Sequence, residues 1–423
     1  MKPDAIIPAA VLTHAVRALS AVLAGTTAAD AALSQHFREH RTLGQADRGW
    51  IAEIVYAVLR QRRSLAAAAQ SELPRDLALA ALLRVLGLSG RRLEAILKRD
   101  DQALVERLRN FDATSLLPAQ RADLPDWLWL RLCDEFGADA AQSLARALKQ
   151  SAPLTLRVNG LKATRESVLA ALDSDSIAAA PTAMAPLGIR LTGKPALARH
   201  PLFTSGQVEV QDEGSQLLAE LLGPRRGEMV ADFCAGAGGK TLALGALMRS
   251  TGRLYAFDVS AARLARMKPR VARSGLSNVH PVRIDSEADP RVGRLAGKLD
   301  RVLVDAPCSG VGTLRRNPEI KWRQDAAQVG ELAQRQARIL ASAARLVKQG
   351  GRLVYATCSL LREENQSVVD AFVQQHPGFV QGDARAVLAE RGIAVACAGP
   401  ALVLLPDRDG TDGFYAAVLE RRS

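Results

Sequence analysis

From about residue 223 onward the sequence predicts an α/β fold, a doubly wound parallel sheet of about seven strands, with a small α+β element and an all-helical region ahead of it. Three observations carry this reading. Apolar runs of strand length alternate with amphipathic helical stretches from Met229 to the end of the chain. The first such run breaks directly into a glycine-rich turn, Cys234-Ala-Gly-Ala-Gly-Gly-Lys-Thr241. Ahead of these segments, up to roughly residue 120, apolar side chains recur at helical spacing only.

In the first domain, residues 1–120, Val11, Leu12, Val16, Leu19, Val22 and Leu23 recur at helical spacing, as do Ile51, Ile54, Val55, Val58 and Leu59. Asp76 and Ser89 mark helix starts. Arg60, Arg62 and Arg63, then Arg91, Arg92, Lys98 and Arg99, form basic clusters that suit an RNA-facing surface or an ordinary solvated face equally well. In the second domain, 121–222, helices fit 125–136, 138–149 and 163–173. The strand Leu154–Val158 ends in the turn pair Asn159-Gly160, 174–186 reads as a loop rich in Ala, Ser and Pro, and strands are expected at 188–192 and 207–211. In the third, 223–423, strands are expected at 229–233, 253–257, 279–283, 301–304, 352–356, 401–406 and 414–420. Helices fit 241–248, 261–274, 325–346 and 363–375.

Composition narrows the function classes. With 48% hydrophobic and 24% charged residues the chain can bury a core, which excludes wholesale disorder. No stretch reaches the roughly 20 apolar residues of a membrane span, and Arg17 interrupts the first 25 residues, so a cytoplasmic protein without a membrane partner is expected. Lys and Arg number 56 against 44 Asp and Glu, a surplus of +12 that suits a polyanion or, equally, an arginine-rich soluble protein. The five cysteines form no C-x-x-C pair, which excludes a zinc ribbon and a thioredoxin motif; reduced thiols, no metal and a monomeric chain are expected.

Glycines in the turn let the backbone approach a ligand closely, and the helix N-terminus beyond adds partial positive charge. Gly239-Lys240-Thr241 fits the end of a phosphate-gripping P-loop, but that motif's first glycine would fall on Cys234. The acidic residues favour a nucleoside instead. Tyr255-Ala-Phe-Asp258 ends the second strand, Asp285 follows the third, Asp305 ends the fourth, and Asp232 lies near the end of the first. A carboxylate at Asp258 can accept both hydroxyls of a ribose. Ordered acids suit a cationic sulfonium nucleoside and would repel a triphosphate unless metals intervened.

Leu299-Asp-Arg-Val-Leu-Val-Asp-Ala-Pro-Cys-Ser-Gly310 and Gly350-Gly-Arg-Leu-Val-Tyr-Ala-Thr-Cys-Ser359 are each a strand breaking into a tip that presents a cysteine. If the strands are neighbours, Cys308 and Cys358 sit together at the carboxyl edge of the sheet, whereas Cys133 and Cys397 read as packing. A sulfonium methyl donor needs a thiol when the acceptor is carbon 5 of a pyrimidine, which has no lone pair. A thiolate adding at carbon 6 turns carbon 5 into a nucleophile. Bonding to N3 eases that addition and gives Asp305 a role. The residues alone do not choose which cysteine attacks.

These segments resemble the Nop/Sun family of RNA cytosine-5 methyltransferases over about 125–423, on Asp232–Thr241, Asp258, Asp285, Asp305–Gly310, Thr357–Ser359 and Gly410–Phe414. The resemblance implies a Rossmann-like methyltransferase domain acting on RNA, most closely small-subunit (16S) ribosomal RNA. It implies S-adenosylmethionine bound by Cys234, Ala235, Gly236, Ala237, Gly238, Gly239, Lys240, Asp258, Asp285 and Asp305. It makes Cys358 the nucleophile and Cys308 the residue that assists product release. The family's usual Ala-Pro before Gly-Gly-Lys is Gly236-Ala237 here, a looser turn expected to be tolerated. The first domain resembles a NusB-like RNA-binding domain, chiefly through Ala46–Trp50. Arg315, Arg316, Lys321, Trp322 and Arg323 offer cations and an aromatic ring for RNA phosphates and bases. A P-loop ATPase and a non-catalytic RNA-binding assembly factor are the competing readings.

Overall fold

The computed structural model describes residues 7–25, 27–94 and 96–422; the side chain of Arg91, from the second basic cluster, lies outside the described residues. The chain divides into two compact units, Met1–Ser151 with Thr313–Ala326, and Ala152–Gly312 with Ala327–Ser423.

The first unit is all helical. Ala9–Leu23, Ala29–Glu39, Gln45–Ala69 and Pro74–Arg84 lead, and shorter helices follow as far as Ala138–Leu148. Leu12, Leu19, Ile51, Ile54, Leu59, Leu77 and Leu82 from the apolar stripes are fully buried, each contributing about 1.5–3 kcal/mol. The unit extends to Ser151, and a fully buried carboxylate, Asp123, ties its later helices to its earlier ones. Asp123 accepts from the Ser64 amide at 2.8 Å and from Lys149 Nζ at 3.1 Å. Arg63 Nη1 reaches the Leu124 carbonyl at 2.7 Å.

The second unit holds two sheets. The smaller has the order β2-β3-β1-β4, with β1 Leu154–Val158, β2 Ala179–Pro181, β3 Gly188–Leu191 and β4 Val208–Val210. Strand β2 lies inside the stretch read as a loop; it is an edge strand, where Pro181 needs no ladder donor. The larger sheet comprises β5 Met229–Asp232, β6 Arg253–Asp258, β7 Val279–Arg283, β8 Leu299–Asp305, β9 Val347–Thr357, β10 Phe379–Gly382, β11 Leu402–Leu404 and β12 Phe414–Arg421. All seven expected strands are present, and β10 is an eighth.

The order is β10-β12-β9-β8-β5-β6-β7, with β11 on β12. Strands β5 to β9 pair in parallel and β12 pairs antiparallel with β9. This is a Rossmann-like sheet whose strand order reverses at β5, between β6 and β8, and ligands bind at the carboxyl edge of such a switch point. Among the described residues no helix is long and apolar enough to cross a membrane.

Candidate active site

At the switch point a cavity of about 490 Å³ opens over the carboxyl ends of β5, β6, β8 and β9. Cys234 to Ala237, Gly239, Lys240, Asp258, Asp305, Cys308 and Cys358 all line it. Sheet register accounts for the gathering: Asp232 stands beside Leu303 and Asp305 beside Ala356, so tips distant in sequence share one edge.

The turn is shaped by two left-handed glycines, Gly236 (φ +56°) and Gly238 (φ +90°). A β-carbon on Gly238 would lie 2.6 Å from Met267 Cγ. Gly236 has open space around it, and its amide donates to Asp258 Oδ2 at 2.8 Å. The Gly236-Ala237 pair is therefore accommodated without strain and is anchored by a hydrogen bond. The other Asp258 oxygen accepts the Ser260 amide at 2.7 Å.

The smaller sheet buttresses the turn from outside. Arg157 Nη1 reaches the Gly239 carbonyl at 2.7 Å and also bonds Gln211 Oε1. Arg270 bridges the Ala237 carbonyl, at 2.6 Å, to Glu209. Burial draws the Arg157 guanidinium down to about 10. The sequence reading missed these residues; Arg157 sits in the strand before Asn159-Gly160, and nothing local signals that it faces a turn 82 residues away.

Lys240 is not aimed at a phosphate. Its Nζ lies 2.6 Å from Asp305 Oδ2. Burial opposes the ammonium's charge, but Asp305, Cys358 and Asp232 outweigh it and hold Lys240 above its usual value. Asp232 is fully buried and accepts from Thr241 Oγ1 at 2.7 Å; desolvation, reinforced by Asp305, pushes it up to about 7.

The two thiols meet: Cys308 Sγ lies 3.3 Å from Cys358 Sγ. Cys308 is held well above the ordinary thiol range by its hydrogen bond to Cys358, then by burial and the nearby charges of Glu364 and Asp305. Burial likewise pushes the Cys234 thiol up.

Other expected site residues fall elsewhere. Asp285 does not line the cavity, although Ile284 and Glu287 do. Its exposed carboxylate pairs with Arg291 at 3.1 Å and Arg283 at 3.6 Å. The strip Arg315–Arg323 needs a larger correction. Arg315 and Lys321 are buried and Arg316 is half-buried, because the segment packs into the helical unit. Lys321 Nζ donates to the Arg60 carbonyl at 2.8 Å and Trp322 Nε1 to the Leu59 carbonyl at 3.0 Å. Of the five, Arg323 alone is exposed. A phosphate-contacting surface does not fit Arg315 and Lys321, and the indole N–H is already engaged.

Among the described residues three histidines converge in the helical unit. His14 Nδ1 lies 3.1 Å from His36 Nε2, and His40 Nδ1 lies 2.9 Å from the His36 carbonyl. The rings of His36 and His40 stack at 4.3 Å and 27°, and one nitrogen from each of the three rings lies within 4.8 Å of the others, a spacing that could hold a metal ion.

The cavity's lining fits a sulfonium nucleoside: an acceptor carboxylate at Asp258, apolar walls at Val259, Ile284 and Ile339, and a glycine turn at a helix N-terminus. Fold and site together define an S-adenosylmethionine-dependent methyltransferase. The chain belongs to the family described as 16S rRNA methyltransferase RsmB/F, matched at residues 219–420, with that family's ferredoxin-like domain at 124–198. It is 31% identical to the probable ribosomal RNA small subunit methyltransferase B of Synechocystis, over 93% of this chain and 95% of that protein. To ribosomal RNA small subunit methyltransferase B of Sodalis glossinidius it is 39% identical, over 71% and 67%. The crystal structure of PH0851 superposes with a TM-score of 0.82 at 26% identity, over 98% of this chain and 99% of that one. The Nop/Sun resemblance read from the motifs is thus borne out.

Proposed function

We propose that this enzyme methylates carbon 5 of a cytosine in small-subunit ribosomal RNA through a covalent adduct on Cys358. The observation that carries the reading is the pair of thiols, 3.3 Å apart, beside Asp305 in the cofactor cavity. Methylation of a ring nitrogen or a hydroxyl would have no use for them. Family membership makes Cys358, at the tip of β9, the nucleophile and leaves Cys308 as its neighbour for release.

Addition of Cys358 sulfur to carbon 6 pushes an electron pair toward carbon 5; Asp305, carrying a proton once it parts from Lys240, is the group that would donate to N3 and ease that addition. S-adenosylmethionine supplies the electrophilic methyl group. Release requires a base to take the carbon-5 proton, whose bonding pair closes the carbon 5–carbon 6 double bond as the carbon 6–sulfur pair returns to Cys358; Cys308, as its thiolate, is the neighbouring group that would serve as that base. The target cytosine must be unpaired or extruded to reach these tips.

Ribosomal RNA as substrate rests on family membership and on the names of the relatives. The same membership, with Lys240 ion-paired to Asp305, displaces the ATPase reading, and an intact cysteine pair disfavours a non-catalytic assembly factor. Bisulfite sequencing of 16S ribosomal RNA with and without this gene tests the proposal: one protected cytosine should become convertible when the gene is removed. An unchanged map would refute it.

A further inference from the structure

Each catalytic cysteine is followed directly by a serine, and the two serines share one buried carboxylate. Glu364 is 0% exposed. Its Oε2 accepts the hydroxyls of both Ser309 and Ser359, whose oxygens lie 3.2 Å apart. Its Oε1 accepts the Ser309 amide at 2.8 Å and Gln336 Nε2 at 2.9 Å. Gln336 Nε2 also bonds the Pro307 carbonyl at 3.0 Å, so the Cys308 turn is gripped on both sides of the cysteine. The Glu364 carbonyl takes the hydroxyl of Tyr355, from strand β9 itself.

Asn365 completes the fastening. Its Nδ2 reaches the Ser359 carbonyl at 3.0 Å and its Oδ1 accepts from Thr357 Oγ1. Four donors on two oxygens is the full, acceptor-only use of a carboxylate. All four are neutral, and among the described residues no Lys or Arg is ion-paired with it. A stable core does not need a buried carboxylate at this spot, since apolar packing would serve at lower desolvation cost. The arrangement makes sense for what it joins.

We infer that Glu364 is a positioning residue for the two-cysteine reaction: it ties the turn carrying Cys308 to the turn carrying Cys358 and fixes their thiols at the separation that addition and release require. The inference rests on the proposed chemistry for its purpose, although the tie itself does not. The same carboxylate adds negative charge beside Cys308, one of the causes that keep that thiol protonated.

The test compares the full-length wild type with Glu364→Gln and Ser309→Ala by three readouts. Turnover on RNA should fall roughly 10- to 100-fold in Glu364→Gln, as expected for a small misplacement of reacting groups, with the KM for RNA and the affinity for S-adenosylmethionine little changed. Labelling of Cys308 by iodoacetamide, followed by peptide mass spectrometry, should move to lower pH once the charge is gone. Capture of a Cys308–Cys358 disulfide by diamide should slow in both variants as the thiols lose their shared anchor. Unaltered turnover would overturn the inference. So would a fall in turnover with an unmoved labelling profile and unmoved disulfide capture, since Glu364 would then only hold the fold. If Glu364→Gln does not fold, Ser309→Ala decides, and wild-type disulfide capture in that variant overturns the idea. Failure of the chemistry itself looks different: methylation would survive Cys358→Ala while labelling and disulfide capture still responded to Glu364→Gln.

Discussion

Lys240 and Asp305, on the first turn of one helix and the tip of β8, form a 2.6 Å ion pair at the point where a P-loop lysine would meet a phosphate. The lysine is committed to a carboxylate that borders both thiols. Lys240→Met should therefore lower methylation by about 100-fold or more, on the scale of losing one preorganised charge contact at a reacting centre. Equilibrium dialysis should detect no ATP binding in either protein; ATP binding by the wild type would revive the ATPase reading.

Asp258 holds the Gly236 and Ser260 amides and lines the cavity, whereas Asp285 faces solvent. Asp258→Ala should weaken S-adenosylmethionine binding by roughly 1–3 kcal/mol, the scale of charge-assisted hydrogen bonds. Asp285→Ala should leave it within about twofold. Calorimetry on both variants checks the pair, and equal losses would mean that the cofactor reaches further along the sheet edge than the cavity does.

The two cysteines should separate by the species they accumulate. Cys358→Ala should give neither methyl transfer nor a covalent protein–RNA band. Cys308→Ala should still add and methylate but stall at release, leaving an RNA adduct that survives denaturing electrophoresis. An adduct in the Cys358 variant and none in the Cys308 variant would reverse the roles.

Lys321 offers a pH-dependent check on the corrected strip. Desolvation lowers its ammonium to about 7 from 10.5. Between those values the unfolded chain binds a proton that the native chain has lost, so this residue makes stability rise with pH across that window. The melting temperature of wild type relative to Lys321→Met should climb from about pH 7 to pH 9, the comparison cancelling groups common to both. The salt slope of RNA binding should not change in the variant. A flat difference, together with a shallower slope, would return Lys321 to the RNA surface.

The residues whose chemistry is local were legible. The glycine turn, the strand-end acids and the two cysteine tips each announce themselves within ten residues or so, and parallel register brings them together. What depends on distant partners was not. The basic character of Arg315–Arg323 looks like a surface in sequence, yet Lys321 bonds a carbonyl 261 residues away. Glu364 reads as one acid among several after Thr357-Cys358-Ser359; its partners Ser309 and Gln336 stand 55 and 28 residues off. Strand β10 is only Phe379–Gly382, and its half-buried residues give a weak period. Asp285 has the expected place in the strand order, but its exposed carboxylate pairs with two arginines that nothing beside it in the sequence singles out.

The return of Thr313–Ala326 to the helical unit bears on how the chain is made. Glu319 accepts the Ala29 amide, and Lys321 and Trp322 close on Arg60 and Leu59. On the ribosome, the N-terminal helices emerge long before these partners exist. They must wait, with those backbone groups unmet, while β1 to β8 are translated. The unit that begins first is therefore closed only after residue 326, and a fragment ending near residue 151 would carry an open seam.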